Sequence, residues 1–226
     1  MERAWILAGA CMAVAGCGLS GEKLTAPAPG APQVTGIVLR AGVPVVGMEV
    51  KLYQDPGGVQ AGSALTDGAG AYGFANVPAG RWMVKVSPPD TSDLGYVRYF
   101  IDLATAGAPA MVPPFDIASH GFWLVAPADG AAEPLPNMRA GLHLEWSAYR
   151  ATYLWTSARV SDSTGASVWS SPAGQATFAD WDGTGNEGSY SGQHVRSGPY
   201  QWRVRIRLPN GVQAASRQRV LDLGLL

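Results

Sequence analysis

The segment GPYQWRVRI, residues 198–206, decides the fold. Tyr200, Trp202, Val204 and Ile206 fall on one side at period two, and Gln201, Arg203 and Arg205 fall on the other. That alternation marks a strand with one buried face and one wet face. Pro209-Asn210-Gly211 follows as a hairpin turn, and residues 214–221 run back. Upstream, Leu142, Leu144 and Trp146 share a face, and residues 153–162 form a long strand. Ser163-Thr164-Gly165 then turns into Val168 and Trp169.

The same pattern fills residues 33–118. Val34 to Val38 open a strand, and a Gly42–Gly47 turn leads into Met48, Val50 and Leu52 at period two. Thr66-Asp67-Gly68-Ala69-Gly70 is a tight turn, because Asp bonds its own backbone and Gly accepts positive φ. Tyr72 and Phe74 point inward after it. Trp82, Val84 and Val86 do the same, with Arg81, Met83 and Lys85 on the other face. Residues 96–103 and 111–117 add two more strands, and this run of short strands with turns between them implies a β-sandwich. Sustained 3.6-residue periodicity is confined to the N-terminal signal. The expected fold class is all-β: two tandem β-sandwiches, at 33–118 and 119–226, after a signal peptide and a Pro/Ala-rich tether.

Four consecutive motifs carry a resemblance. V-x-G-x-V (34–38), G-x-P-V-x-G-x-x-V-x-L (42–52), T-D-x-x-G-x-Y-x-F (66–74) and V-P-A-G-x-W-x-V-x-V (77–86) together resemble the carboxypeptidase regulatory-like (transthyretin-like, Cna-B-like) domain. Trp82 stands where that family usually has Tyr. The resemblance implies a sandwich appended to other domains, without catalytic residues. In the second unit, L-x-W-S (144–147), A-x-Y (151–153) and G-x-Y-x-W-x-V-x-I (198–206) resemble a fibronectin type III or Ig-like domain. The W-D-G stretch from 181 and V-x-x-G-x-Y (195–200) also look like the Ig-like domain of flagellar-hook cap proteins.

Composition agrees with a turn-rich β protein. The chain has 226 residues, with 29 Gly, 17 Pro and only 15% charged residues. Sixteen Lys+Arg against 17 Asp+Glu give a net charge of −1, which argues against a nucleic-acid partner.

Residues 1–17, MERAWILAGACMAVAGC, place Arg3 before an apolar run too short to span a bilayer. The run ends in Val14-Ala15-Gly16-Cys17, which resembles the lipobox of bacterial lipoproteins; Glu2 departs from a positive start. The resemblance implies lipid on Cys17, hence a membrane partner. Gly18, in place of Asp, favours the outer membrane. Residues 18–32 are an Ala-Pro tether. Both cysteines, Cys11 and Cys17, lie in the signal, so the mature chain has no disulfide.

Candidate chemistry is sparse. His120, His143 and His194 are scattered, with no nucleophile elbow, phosphate loop or paired-carboxylate motif, so no catalytic residue and no cofactor are expected. Asp180, Asp182 and Asn186 form a weak Ca²⁺ candidate, with Thr184 and Ser191 breaking the pattern. The other reading of that loop is a Gly-rich turn with Trp181 in the core. Arg203, Arg205 and Arg207 alternate outward, and Arg217 and Arg219 can join them. Such a face suits the phosphates or carboxylates of an anionic polysaccharide or lipopolysaccharide, or is simply a solvated surface. Trp155 and Trp169 are candidate sugar-stacking residues, while Trp82, Trp146 and Trp202 read as core. The expected function is a non-catalytic envelope lipoprotein, a binding or structural module, with carbohydrate or cell wall as the candidate ligand. The alternative is a scaffold for envelope proteins, docked through sandwich edges.

Overall fold

The computed structural model describes residues 34–89, 94–104, 109–117, 123–136, 141–147 and 152–224. The signal with Cys17, the tether and His120 lie outside the described residues.

The architecture is all-β. The first half contains β1 (Val34–Arg40), β2 (Val43–Pro44), β3 (Glu49–Asp55), β4 (Gln60–Leu65), β5 (Ala71–Phe74), β6 (Gly80–Val86), β7 (Leu94–Leu103), β8 (Ala110–Met111) and β9 (Phe115–Asp116). The second contains β10 (Leu124–Ala126), β11 (Ala131–Glu133), β12 (Leu142–Trp146), β13 (Trp155–Asp162), β14 (Ser167–Ser170), β15 (Phe178–Trp181), β16 (Gly198–Arg207), β17 (Gln213–Ser216) and β18 (Arg219–Leu223). β2 and β4 carry no strand expectation from the sequence, and the segment expected as one strand at 111–117 forms two short bridges to β1, namely β8 and β9.

In the first half β1 is the hub of one layer. It pairs β5 and β2 antiparallel, and β8 and β9 parallel. The opposing layer runs β4–β3–β6–β7. Val34, Val38, Val50, Phe74, Val84, Val86 and Phe115 fill the space between and are fully buried or nearly so. Gly36 has a steric reason: a Cβ there would meet the Tyr72 ring. The Tyr72 hydroxyl is buried without a partner, and burial holds it well above the usual phenol range.

In the second half, β10–β12–β15 faces the layer containing β14, β13 and β16. Trp169 on β14 stacks on Trp181 of β15 with ring centroids 5.9 Å apart, and Trp181 meets Tyr200 of β16 edge-on. Trp181 is fully buried, and its Nε1 donates to the Thr184 carbonyl.

The returning segment after the hairpin is two strands, not one. β17 lies along Arg205–Arg207 and β18 along Gly198–Trp202, on the same edge of β16 and one residue out of register. Ser216 patches this bulge: its hydroxyl accepts from Val204 N and donates to the Arg217 carbonyl. The free side of β18 takes β11, and the free side of β17 takes β7 of the first half.

That last pairing joins the two halves, a contact the sequence leaves open. One sheet crosses the join: β14–β13–β16–β17–β7–β6–β3–β4. The pairs are Gln213–Arg98, Ala214–Val97, Ala215–Tyr96 and Ser216–Leu94. Joining the halves this way satisfies two sheet edges whose N–H and C=O groups would otherwise be unpaired. Gly95 makes the approach feasible, since a Cβ there would lie 2.5 Å from the Ser216 carbonyl oxygen.

Candidate functional site: a cationic face across the joined sheet

Strand alternation puts one side chain in two on the outer face of the long sheet. On β16 these are Arg203, Arg205 and Arg207, as expected, with Trp202, Val204 and Ile206 in the core. On β7 they are Tyr96, Arg98 and Phe100, and on β6 Arg81, Met83 and Lys85. β13 adds Trp155, Ser157 and Arg159. The β7–β17 join turns these separate stripes into one surface.

Tyr96 sits at the centre. Lys85 Nζ is 4.9 Å from its ring centroid, and the guanidinium carbons of Arg98 and Arg203 are 5.4 and 5.8 Å away. Arg98 also lies 4.9 Å from the Phe100 ring. Such cation–π contacts hold the charges over apolar rings without neutralising them. Gln213 Oε1 fixes Arg98 by accepting from its Nε and Nη2 at 3.1 and 3.0 Å, which ties the two halves by side chains as well as backbone. Arg159 Nε donates to Ser167 Oγ at 2.8 Å.

The arginines of β16 are differently placed. The Nε atoms of Arg203 and Arg205 are buried and have no acceptor. Burial, together with repulsion from Arg159 and Arg98, disfavours the charged form of both. Lys85 is held below the usual lysine value by burial and then by Arg203, Arg98 and Lys51. Among the described residues no carboxylate forms an ion pair with any of Lys85, Arg98, Arg203 or Arg205. The surface therefore concentrates positive charge that no described carboxylate pairs with directly, and it is competent to hold carboxylates or phosphates.

Other sequence expectations come out differently. Trp169 is 8% exposed and stacked on Trp181 in the core, where it lines a cleft of about 310 Å³, so little of its ring is open to a sugar. Trp155 is half-buried on the outer face, opposite Arg207. Arg219 does not join the cationic face. It pairs with Trp202, on the core-facing side, and its guanidinium donates to the carbonyls of Leu124, Val125 and Pro127. It fastens β10 to the long sheet.

The Ca²⁺ candidates do not converge. Asp180 pairs with His143 Nδ1 at 2.6 Å, Asp182 accepts from Thr184 N within its own turn, and Asn186 spends both amide groups on the Ser170 backbone. Among the described residues no three His, Cys, Asp or Glu side chains cluster as metal ligands. His143 and Asp180 are a cross-strand pair, both more than half exposed, and His143 stacks on Phe178. His194 meets the Thr184 hydroxyl at a long 3.5 Å.

Sequence reading found Arg203, Arg205 and Arg207 but missed Tyr96, Arg98 and Gln213 as parts of the same site. Their outward parity was legible. The pairing that brings β7 beside β17, 115 residues away for Arg98 and Gln213, was not.

No protein-family model matches this chain, and no curated protein does. Solved structures with some likeness include 5-hydroxyisourate hydrolase of Klebsiella pneumoniae, at TM-score 0.29 and 19% identity over 42% of this chain and 93% of that one. Fibronectin(III)-like modules of Clostridium thermocellum CbhA align at 0.30 and 14%, over 84% and 90%. A streptococcal ancillary pilin aligns at 0.32 and 13%, over 86% of this chain and 61% of that one, so the chain spans under two thirds of the pilin. Likenesses at these TM-scores carry no weight; the β-sandwich assignment rests on the strands and cores themselves.

Proposed function

We propose that this protein is a non-catalytic lipoprotein of the cell envelope, held by lipid on Cys17, whose joined sheet binds an acidic envelope polymer. The polymer's chemistry is a glycan bearing carboxylate or phosphate groups, as in an acidic polysaccharide or a lipopolysaccharide. The observation that carries the reading is the uncompensated cation cluster around Tyr96, with Arg203 and Arg205 half-buried and lacking acceptors for Nε. Holding like charges together costs stability, and a surface that keeps them is best explained by a ligand that neutralises them. The lipobox supports an address at a membrane, and the tether gives the sheet reach from it.

The test is titration calorimetry of the mature chain against a polyuronate, dextran sulfate and neutral dextran. Binding to the acidic polymers that weakens steeply with salt supports the reading. Arg203→Gln with Arg205→Gln then lowers affinity by roughly tenfold or more, as expected for charge-assisted hydrogen bonds. Equal binding to neutral dextran, or no binding to any, overturns it.

A second reading, a scaffold through sheet edges, is favoured by β4. Among the described residues it pairs with β3 alone, and Val59 and Leu65 beside and on it are well exposed. Crosslinking from Leu65 to an envelope protein in cells would support it.

A further inference from the structure

If the joined sheet binds an acidic polymer, its strand register constrains the shape of that polymer. Five adjacent strands place five outward residues in one line. Lys85 on β6 is opposite Arg98 on β7, and Arg98 is opposite Gln213 on β17. Gln213 is opposite Arg207 on β16, and Arg207 is opposite Trp155 on β13. Neighbouring strands are about 4.8 Å apart, so the line is roughly 19 Å long. One strand spacing is close to the advance of one sugar along an extended glycan.

The line is chemically ordered. It begins with two cations, continues with a neutral amide, returns to a cation, and ends on a half-buried indole. Lys51 extends it beyond Lys85 on β3, but Glu49 already holds Lys51 at 3.3 Å, so the free charge stops at Lys85. Lys85, Arg98 and Arg203 stand around the Tyr96 ring at 4.9, 5.4 and 5.8 Å from its centroid, but Arg207 lies two strands beyond Arg98, roughly 10 Å further along the line. A single phosphate or other compact anion held at Tyr96 would not reach it. An extended chain with charges at intervals reaches them all.

We infer that the ligand, granted the acidic-polymer binding proposed for this sheet, is a linear glycan with an acidic group on most of its sugars, lying across the strands from Lys85 to Trp155. Its acidic groups face Lys85, Arg98 and Arg207, Gln213 meets a hydroxyl between them, and a sugar ring rests on Trp155. Arg203 and Arg205 flank the line on β16 and draw the same charges. The occupied line crosses the β7–β17 join, so each half supplies part of the site and neither half is complete alone.

The experiment is a length series of oligouronates, from the monomer upward, titrated into the unmodified mature chain. Affinity should rise with every added sugar until the ligand spans the line, at about four or five sugars by the strand spacing, and then level off. Trp155→Phe should retain the plateau, and Trp155→Ala should weaken only oligomers long enough to reach it. Affinity that does not depend on length overturns the linear site while leaving acidic-polymer binding intact. Inorganic polyphosphate bound as tightly as an oligouronate of equal charge overturns the glycan. Anionic-lipid vesicles bound in preference to every oligomer overturn it in favour of a membrane surface. No binding by any acidic polymer overturns the acidic-polymer reading and the linear site together.

Discussion

Two regions of the long sheet's outer face carry the same kinds of side chain in opposite circumstances. Away from the join, Arg81 on β6 has Asp55 at 2.9 Å and Asp102 at 4.0 Å, and Lys51 on β3 has Glu49. At the join, Lys85, Arg98, Arg203 and Arg205 have aromatic rings, an amide and one another. Exposed ion pairs like the first set contribute little to stability. The second set is repulsive in the free protein, so charge alone does not explain why it persists. The contrast says that compensation was available to this sheet and, among the described residues, is missing where the halves meet.

The most disruptive way to break the comparison is to separate the halves. Gly95→Val puts branched carbons where one Cβ would already lie 2.5 Å from the Ser216 carbonyl oxygen. The expected outcome is loss of the β7–β17 ladder with both cores intact. Amides of residues 94–98 and 213–216 should exchange faster, while those of β1, β5 and β12 keep their protection. Affinity for a polyuronate should fall on the order of 100-fold, the equivalent of two charge-assisted contacts. Unchanged exchange in residues 213–216 would show that the join tolerates the side chain.

The join also marks the limit of what one sequence reveals. Each half's strands were legible, because Val50, Leu52, Tyr72, Trp82, Val84 and the Trp202–Ile206 stripe alternate against polar neighbours. Period two is a local signal. Which strand edge meets which is not local: Arg98 and Gln213 touch only after both sandwiches exist. The site was half legible for the same reason. Arg203 and Arg205 were visible as an outward stripe, but their meeting with Tyr96 and Arg98 depends on β7. Trp169 misled because Tyr153–Asp162 and Val168–Trp169 gave no clue that β14 turns both Val168 and Trp169 into buried positions. Asn186 misled because an amide that braces a neighbouring strand looks, in sequence, like a ligand.

A gentler change makes the two regions alike. Gln213→Glu is isosteric and places a carboxylate against Arg98 Nε and Nη2, in the fork geometry that suits a guanidinium. It should stabilise the unliganded protein by about 0.5–1 kcal/mol, the range for a partly exposed ion pair, and raise Tm by roughly 2–4 °C per kcal/mol. Binding of the polyuronate should weaken by about tenfold, since the carboxylate then neutralises the Arg98 charge that the Gln213 amide leaves unbalanced. Stability and affinity moving in opposite directions is the signature sought. A variant that gains stability without losing affinity would show that Arg98 does not meet the ligand.

The finest comparison is between two lysines in direct register, Lys51 and Lys85. Lys85 sits below the usual 10.5 because burial, Arg203, Arg98 and Lys51 all disfavour its charge, while the Tyr96 ring attracts it. Its folded pKa is therefore depressed relative to the unfolded chain. Between the two values the unfolded state holds the extra proton, so stability rises with pH across that window and is flat below it. Binding runs the other way, because the neutral amine no longer attracts an acid group. Affinity for the polyuronate should decline on the alkaline side at a pH lower than an ordinary lysine would dictate. Lys85→Arg should shift that decline upward, since a guanidinium stays charged, and Lys51→Arg should leave it where it was. A decline that persists unchanged in Lys85→Arg would assign it to another group and remove Lys85 from the line.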